Sequence, residues 1–154
     1  MLALTVRQPV ASLIALGAVR YDVRTWRPPA WALGKLVAIH AGTDPVLLRA
    51  MLHQAPPIAA ALAACGRAEG LTGPGSSARF PRGVVLATAR LVAVHDATAI
   101  ADQVSAAERA AGDWLDGRFA WEFAYVRPVD PPAPALGQRQ LWSWKAPARV
   151  VGVA

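Results

Sequence analysis

The chain has 154 residues, 55% of them hydrophobic and 17% charged, with a formal net charge of +6. This length fits one domain, residues 1–154, and so apolar and weakly charged a composition excludes intrinsic disorder. The longest apolar run, IAAALAAC at Ile58–Cys65, falls far short of the roughly 20 residues of a membrane span, and Cys65, the single cysteine, excludes an internal disulfide and a multi-cysteine zinc site.

LALTVR (Leu2–Arg7) reads as a strand, and Pro9 then opens a short helix, PVASLIALG, that stops at Gly17 and buries Leu13, Ile14 and Leu16. Val19–Trp26 is extended and is halted by Pro28 and Pro29. KLVAIHA (Lys35–Ala41) is a strand ended by Gly42. Asp44 and Pro45 are expected to start a helix through VLLRAMLHQ, and an alanine-rich helix after Pro57 to end near Gly66. Glu69–Pro81 has the Gly, Pro and Ser density of an exposed loop. Gly83–His95 reads as a central strand, Thr98–Trp114 as one helix through Ile100, Val104 and Ala107, and Phe119–Val129 as a strand. PPAPALG reads as a linker, with QLWSW and ARVVGV as final strands. The fold class is therefore α+β, strands at both ends and in the middle with helices between them. The opening MLALTVRQPV lacks the charged, apolar and small-residue succession of a secretory leader, so a cytoplasmic protein is expected.

The positive charge is unevenly placed. Residues 1–90 hold ten basic and three acidic side chains, and residues 91–154 hold six and seven. A one-sided cationic excess attracts RNA, DNA or a phosphorylated ligand. Only Lys35 and Lys145 are lysines against fourteen arginines, so a GC-rich coding sequence accounts for the excess equally well.

Arg7, Gln8, Asp22, Arg24 and Arg27 form a polar cluster. Alternation along an extended segment would turn Arg20, Asp22, Arg24 and Trp26 to one side and Val19, Tyr21 and Val23 to the other. Arginine forks grip phosphates or base edges, Asp22 would accept from an amino group or orient an arginine, and Trp26 would stack on a base. The competing reading is an Asp22–Arg24 ion pair that braces the turn into Pro28. Trp142 and Trp144 share a face as core residues, whereas Trp26 and Trp121 sit among polar neighbours and are the stacking candidates. His40 either lines a cleft or bonds a backbone group. His40, His53 and His95 are not at metal-ligand spacing, so no metal and no cofactor are expected. Cys65 reads as a small buried hydrophobe.

LTVRQPVASLIALGAVRYDVRTWRPP, at Leu4–Pro29, resembles the ASCH family of the PUA-like superfamily. The resemblance continues through GKLVAIHAG, FPRGVVLATARLVAVHD, FAWEFAYVRPV and GQRQLWSW, in order along nearly the whole chain. The family signature G-x-K-x-x-E-x-R falls on Gly17, Val19, Asp22 and Arg24, with valine in place of the lysine and aspartate in place of the glutamate. The opening R-Q-P-W becomes Arg7, Gln8, Pro9 and Val10. The resemblance implies a small, closed or nearly closed β-barrel with a cleft beside the first helix and the signature segment. It also implies binding of RNA or modified nucleosides, and in some members amidohydrolysis of acylated cytidines or nuclease activity.

The amidohydrolase reading leans on the signature lysine. Val19 cannot act as a base, and the neighbouring Arg20 stays protonated. Should the chain be an enzyme, Asp22, Arg24, His40 and Lys35 remain as catalytic candidates, with carboxylates available from Glu108 or Asp102. The leading expectation is a nucleic-acid-binding module, for RNA or a modified nucleoside with DNA left open. Its ligand residues would be Arg7, Gln8, Arg20, Asp22, Arg24, Trp26, Arg27, His40 and Trp121. A hydrolase of modified nucleosides or RNA is the alternative, and an adaptor for a small molecule or protein is the third.

Overall fold

A computed structural model of the chain describes residues 1–44, 56–65 and 80–151. Six strands form one mixed sheet: β1 (Leu2–Val6), β2 (Tyr21–Arg24), β3 (Leu36–Ala41), β4 (Val84–Asp96), β5 (Phe119–Pro134) and β6 (Leu141–Ser143). Their order is β2-β5-β4-β3-β1-β6, with β1 and β3 parallel and all other pairs antiparallel. Helices α1 (Val10–Ala15), α2 (Pro56–Ala64), α3 (Ala97–Ile100), α4 (Ala106–Ala111) and α5 (Ala148–Val151) complete an α+β half-barrel.

Side-chain alternation builds two cores. Leu4 and Val6 of β1 and Val37 and Ile39 of β3 face α1, where Leu13 and Ile14 are fully buried. Each such aliphatic side chain contributes about 1.5–3 kcal/mol by leaving water. Ala3 and Ala38, one residue out of phase, face the opposite side and pack with Val85, Trp142 and Trp144. The curvature comes from β4 and β5, whose register shifts at three places, including two residues, Tyr125 and Val126, set against the single Ala89. Such bulges bend and twist a sheet. Helix α1 ends where Gly17 takes φ +71°, its N–H donating to the Ile14 carbonyl while the Ala18 N–H reaches Leu13.

The barrel has a seam. Strands β2 and β6 are the outermost and do not pair with each other, and β6 covers only Leu2–Leu4 of β1. Thr5 and the residues after it therefore have no ladder partner in β6, although the Trp142 indole still donates to the Thr5 hydroxyl.

Three expectations require correction. The helix over Thr98–Trp114 is two helices, because Ser105 starts α4 afresh: its hydroxyl accepts from the Glu108 N–H while the Glu108 carboxylate accepts from the Ser105 N–H. PPAPALG is strand as far as Pro134. Beyond Phe123, whose N–H still donates to the Arg20 carbonyl, β5 has β4 as its only strand partner among the described residues, so alternate amides have no ladder to join and prolines cost little there. ARVVGV turns helical at Ala148–Val151 after Pro147, where Val150 packs against the Trp142–Trp144 core, and that contact outweighs β-propensity. The helix expected from Asp44 and Pro45 and most of the Glu69–Pro81 loop fall outside the described residues. Among those described, no helix is long and apolar enough to cross a membrane.

Candidate functional site

The seam holds a cleft of about 540 Å³, walled by β2, the end of β1 and the C-terminal end of α4. Asp22 and Arg24, two residues apart on β2, share the face that turns into it. The Arg24 Nε donates to Asp22 Oδ2 at 2.6 Å, and its Nη2 donates to the Thr5 carbonyl at 2.6 Å. One guanidinium thus bridges the outermost strand to β1 in place of a backbone ladder. It lies 5.7 Å from the ring centroids of both Trp26 and Trp121, a cation–π position toward each.

The far wall depends on Gly112. A Cβ there would come within 2.7 Å of Trp114 Nε1 and of Val23 Cγ2, so only glycine lets the end of α4 approach β2 this closely. Trp114 fixes that end by donating its indole N–H to the Glu108 carbonyl at 2.9 Å. Across the cleft, Arg118 pairs with Asp113 at 3.0 Å. Arg7 stands exposed at the rim and forms no ion pair with a described residue. Among the described residues three arginines face two aspartates, and the uncompensated charge belongs to Arg7.

Arg7, Asp22, Arg24 and Trp26 of the expected set therefore meet in one cleft. Arg118 and Asp113 join them although the sequence did not single them out; they come from a turn nearly a hundred residues away, and no local pattern marks them. The competing structural reading of Asp22 and Arg24 is also met: they do form an ion pair, but it braces β1 rather than the turn into Pro28.

The remaining residues are elsewhere. Gln8 is buried and acts within the fold, its Nε2 donating to the Pro81 carbonyl and its Oε1 accepting from the Ser12 N–H. Arg20 precedes β2, so strand alternation does not hold it. It leans over the Tyr21 ring at 5.1 Å, between Glu108 and Glu122 at 3.8 and 3.9 Å. On that side burial, reinforced by Glu122, raises the Tyr21 phenol above its ordinary value. Arg27 pairs with Asp96 at 2.7 Å and covers the Phe119 ring. Lys35 is exposed in the turn before β3, away from the cleft.

Trp121 has no exposed surface and offers no face to a ligand. It supports Trp26 edge-on at 4.5 Å and donates to the Trp26 carbonyl. Val19 is buried in the core, outside the cleft. Glu108 caps α4 and faces Arg20, and Asp102 lies exposed near Arg109. Cys65 is half-buried.

His40 is fully enclosed behind Thr5, its partner in the β1–β3 register. Its Nε2 faces the Ala135 carbonyl at 3.1 Å, and its Nδ1 is buried with no hydrogen-bond partner. Burial lowers its pKa, opposed by the bond to Ala135. The ring meets Trp142 edge-on, and Gly137 closes over it so tightly that a Cβ would sit 2.5 Å from Cε1. Among the described residues, no cluster of three or more His, Cys, Asp or Glu could hold a metal.

The fold resembles a solved protein. The crystal structure of ASCH from Zymomonas mobilis superposes with a TM-score of 0.53 at 14% identity, over 94% of this chain and 87% of that one. No family model and no curated relative matches the sequence. At this identity the likeness speaks for the fold, and the chemistry must be read from the side chains.

Proposed function

We propose that the chain is a single ASCH-like domain that binds nucleic acid, RNA or a modified nucleoside, in the seam cleft. One observation carries the reading: Arg7, Arg24 and Arg118 converge beside the partly buried Trp26 ring, and Asp22 and Asp113 fix the orientation of two of them. Paired guanidiniums are pre-oriented and lose little freedom on gripping a phosphate or base edge, while Arg7 supplies the free cation and Trp26 a stacking surface.

Hydrolysis has less support. Both cleft carboxylates are engaged by arginines, and a guanidinium does not give up its proton to act as a base. His40 is walled off behind Thr5.

Fluorescence titration with a six-nucleotide single-stranded RNA across several salt concentrations tests the reading. Binding is expected to weaken steeply with salt, and Arg7→Ala to lower the log–log slope by about 0.7, the value of one single-strand phosphate contact. Arg20→Ala is expected to change neither affinity nor slope. Absence of saturable binding, or binding indifferent to Arg7→Ala, would refute it.

A further inference from the structure

A second groove, of about 800 Å³, crosses the middle of β4 and β5 near the start of β1 and β3, and shares no lining residue with the seam cleft. Among the described residues Arg90, Arg127 and Arg149 line it with one acid, Asp130, and Arg127 is itself already engaged. Arg90 donates to the Gly34 carbonyl and Arg149 to the Pro131 carbonyl, so each is tethered by a single bond from a group that carries five donors.

Tyr125 stands over this groove, 75% exposed. It occupies the bulge opposite Ala89 with φ +53°, a left-handed conformation that glycine ordinarily takes and a bulky residue rarely does. The bulge serves the curvature of the sheet, but the Tyr125 ring on it packs into neither core, and strain of this kind gathers at binding sites.

We infer that this groove is a second contact surface for a single-stranded polynucleotide, on which Tyr125 stacks against a base while Arg90 and Arg149 hold flanking phosphates. The choice of ligand follows from charge complementarity and from the pairing of a stacking ring with spaced guanidiniums, which together are what a single strand requires. It rests on the nucleic-acid reading of the seam cleft for its ligand class and adds that the protein binds a strand at two places rather than one nucleotide at one.

The test compares six- and twenty-nucleotide single-stranded RNAs against the wild-type chain, Tyr125→Gly, and the double variant Arg90→Ala with Arg149→Ala. Tyr125→Gly relieves the backbone, so its Tm is expected to hold or rise, while its affinity for the longer strand falls about 5- to 150-fold, the range for loss of one stacked base. The double variant is expected to weaken the longer strand and flatten its salt dependence. Twenty-nucleotide binding unchanged in both variants would overturn the second surface, even where Arg7→Ala still weakens the hexamer and so upholds the cleft. Loss in Tyr125→Gly with no effect of Arg7→Ala would uphold the groove and remove the cleft. A polyglutamate peptide bound as well as RNA, and equally sensitive to Tyr125→Gly, would overturn the choice of ligand.

Discussion

Arg20 and Arg24 lie four residues apart, and strand alternation alone would turn both to one face. Arg24 is pressed into the seam, its side chain 16% exposed, with two bonds of 2.6 Å and the adjoining Trp26 and Trp121 rings both 5.7 Å away. Arg20 is 59% exposed and stands nearly 4 Å from each of its two carboxylates. A buried, geometrically matched charge is integral to the fold, whereas a loose exposed one is exchangeable with water. The value of an arginine is therefore set by what surrounds it and not by the motif that contains it.

The sharpest way to break the comparison is to remove Arg24. Arg24→Ala leaves the Asp22 carboxylate buried without its partner and the Thr5 carbonyl without its donor. Urea unfolding is expected to show a loss of about 2–4 kcal/mol, a little below the ~3–5 kcal/mol for a fully buried pair because both side chains keep some exposure. Arg24→Lys keeps the charge but not the fork and is expected to recover less than half of it. A loss below about 0.5 kcal/mol would place Arg24 with Arg20.

His40 lies between these extremes, enclosed like Arg24 but only half satisfied. Its folded pKa is depressed, mainly by burial, while in the unfolded chain a histidine titrates near 6.5. The unfolded state therefore takes up the proton first. This contribution to stability is complete above about pH 6.5, declines as the pH falls toward the lower folded value, and is level below it. The urea midpoint is expected to drop between about pH 7.5 and pH 5.5. His40→Gln is expected to remove most of that slope, and an unchanged slope would assign it to another group. The smallest effect belongs to Arg20→Ala, expected to shift stability by less than about 0.5 kcal/mol in the same assay. A larger loss would make Arg20 a structural partner of Glu108 and Glu122.

Most strand positions, though not ARVVGV or the β5 end in PPAPALG, the short helix ended by Gly17 and the shared face of Asp22, Arg24 and Trp26 were legible in the sequence, because each follows from local pattern or alternation. The split of Thr98–Trp114 at Ser105 was also written there, as Ser and Glu three apart, but the apolar spacing across it carried the stronger signal. What local pattern could not provide was contact across the chain. Arg118 and Asp113 reach the cleft only because β5 pairs with β2 and α4 folds back onto it. Trp121 sits among polar sequence neighbours yet is sealed beneath Trp26, since a strand's second face answers to whatever packs on it.

The mouth of the half-barrel depends on where β6 stops. Continuing the β1–β6 register by one residue would set Gln140 opposite Thr5, but Gln140 adopts φ +58° and turns the chain aside. A left-handed residue at one position thus decides whether this edge of the sheet ends in a ladder or in an opening. Selection acting on the conformation of residue 140 could widen or seal the cleft without touching a single side chain that lines it.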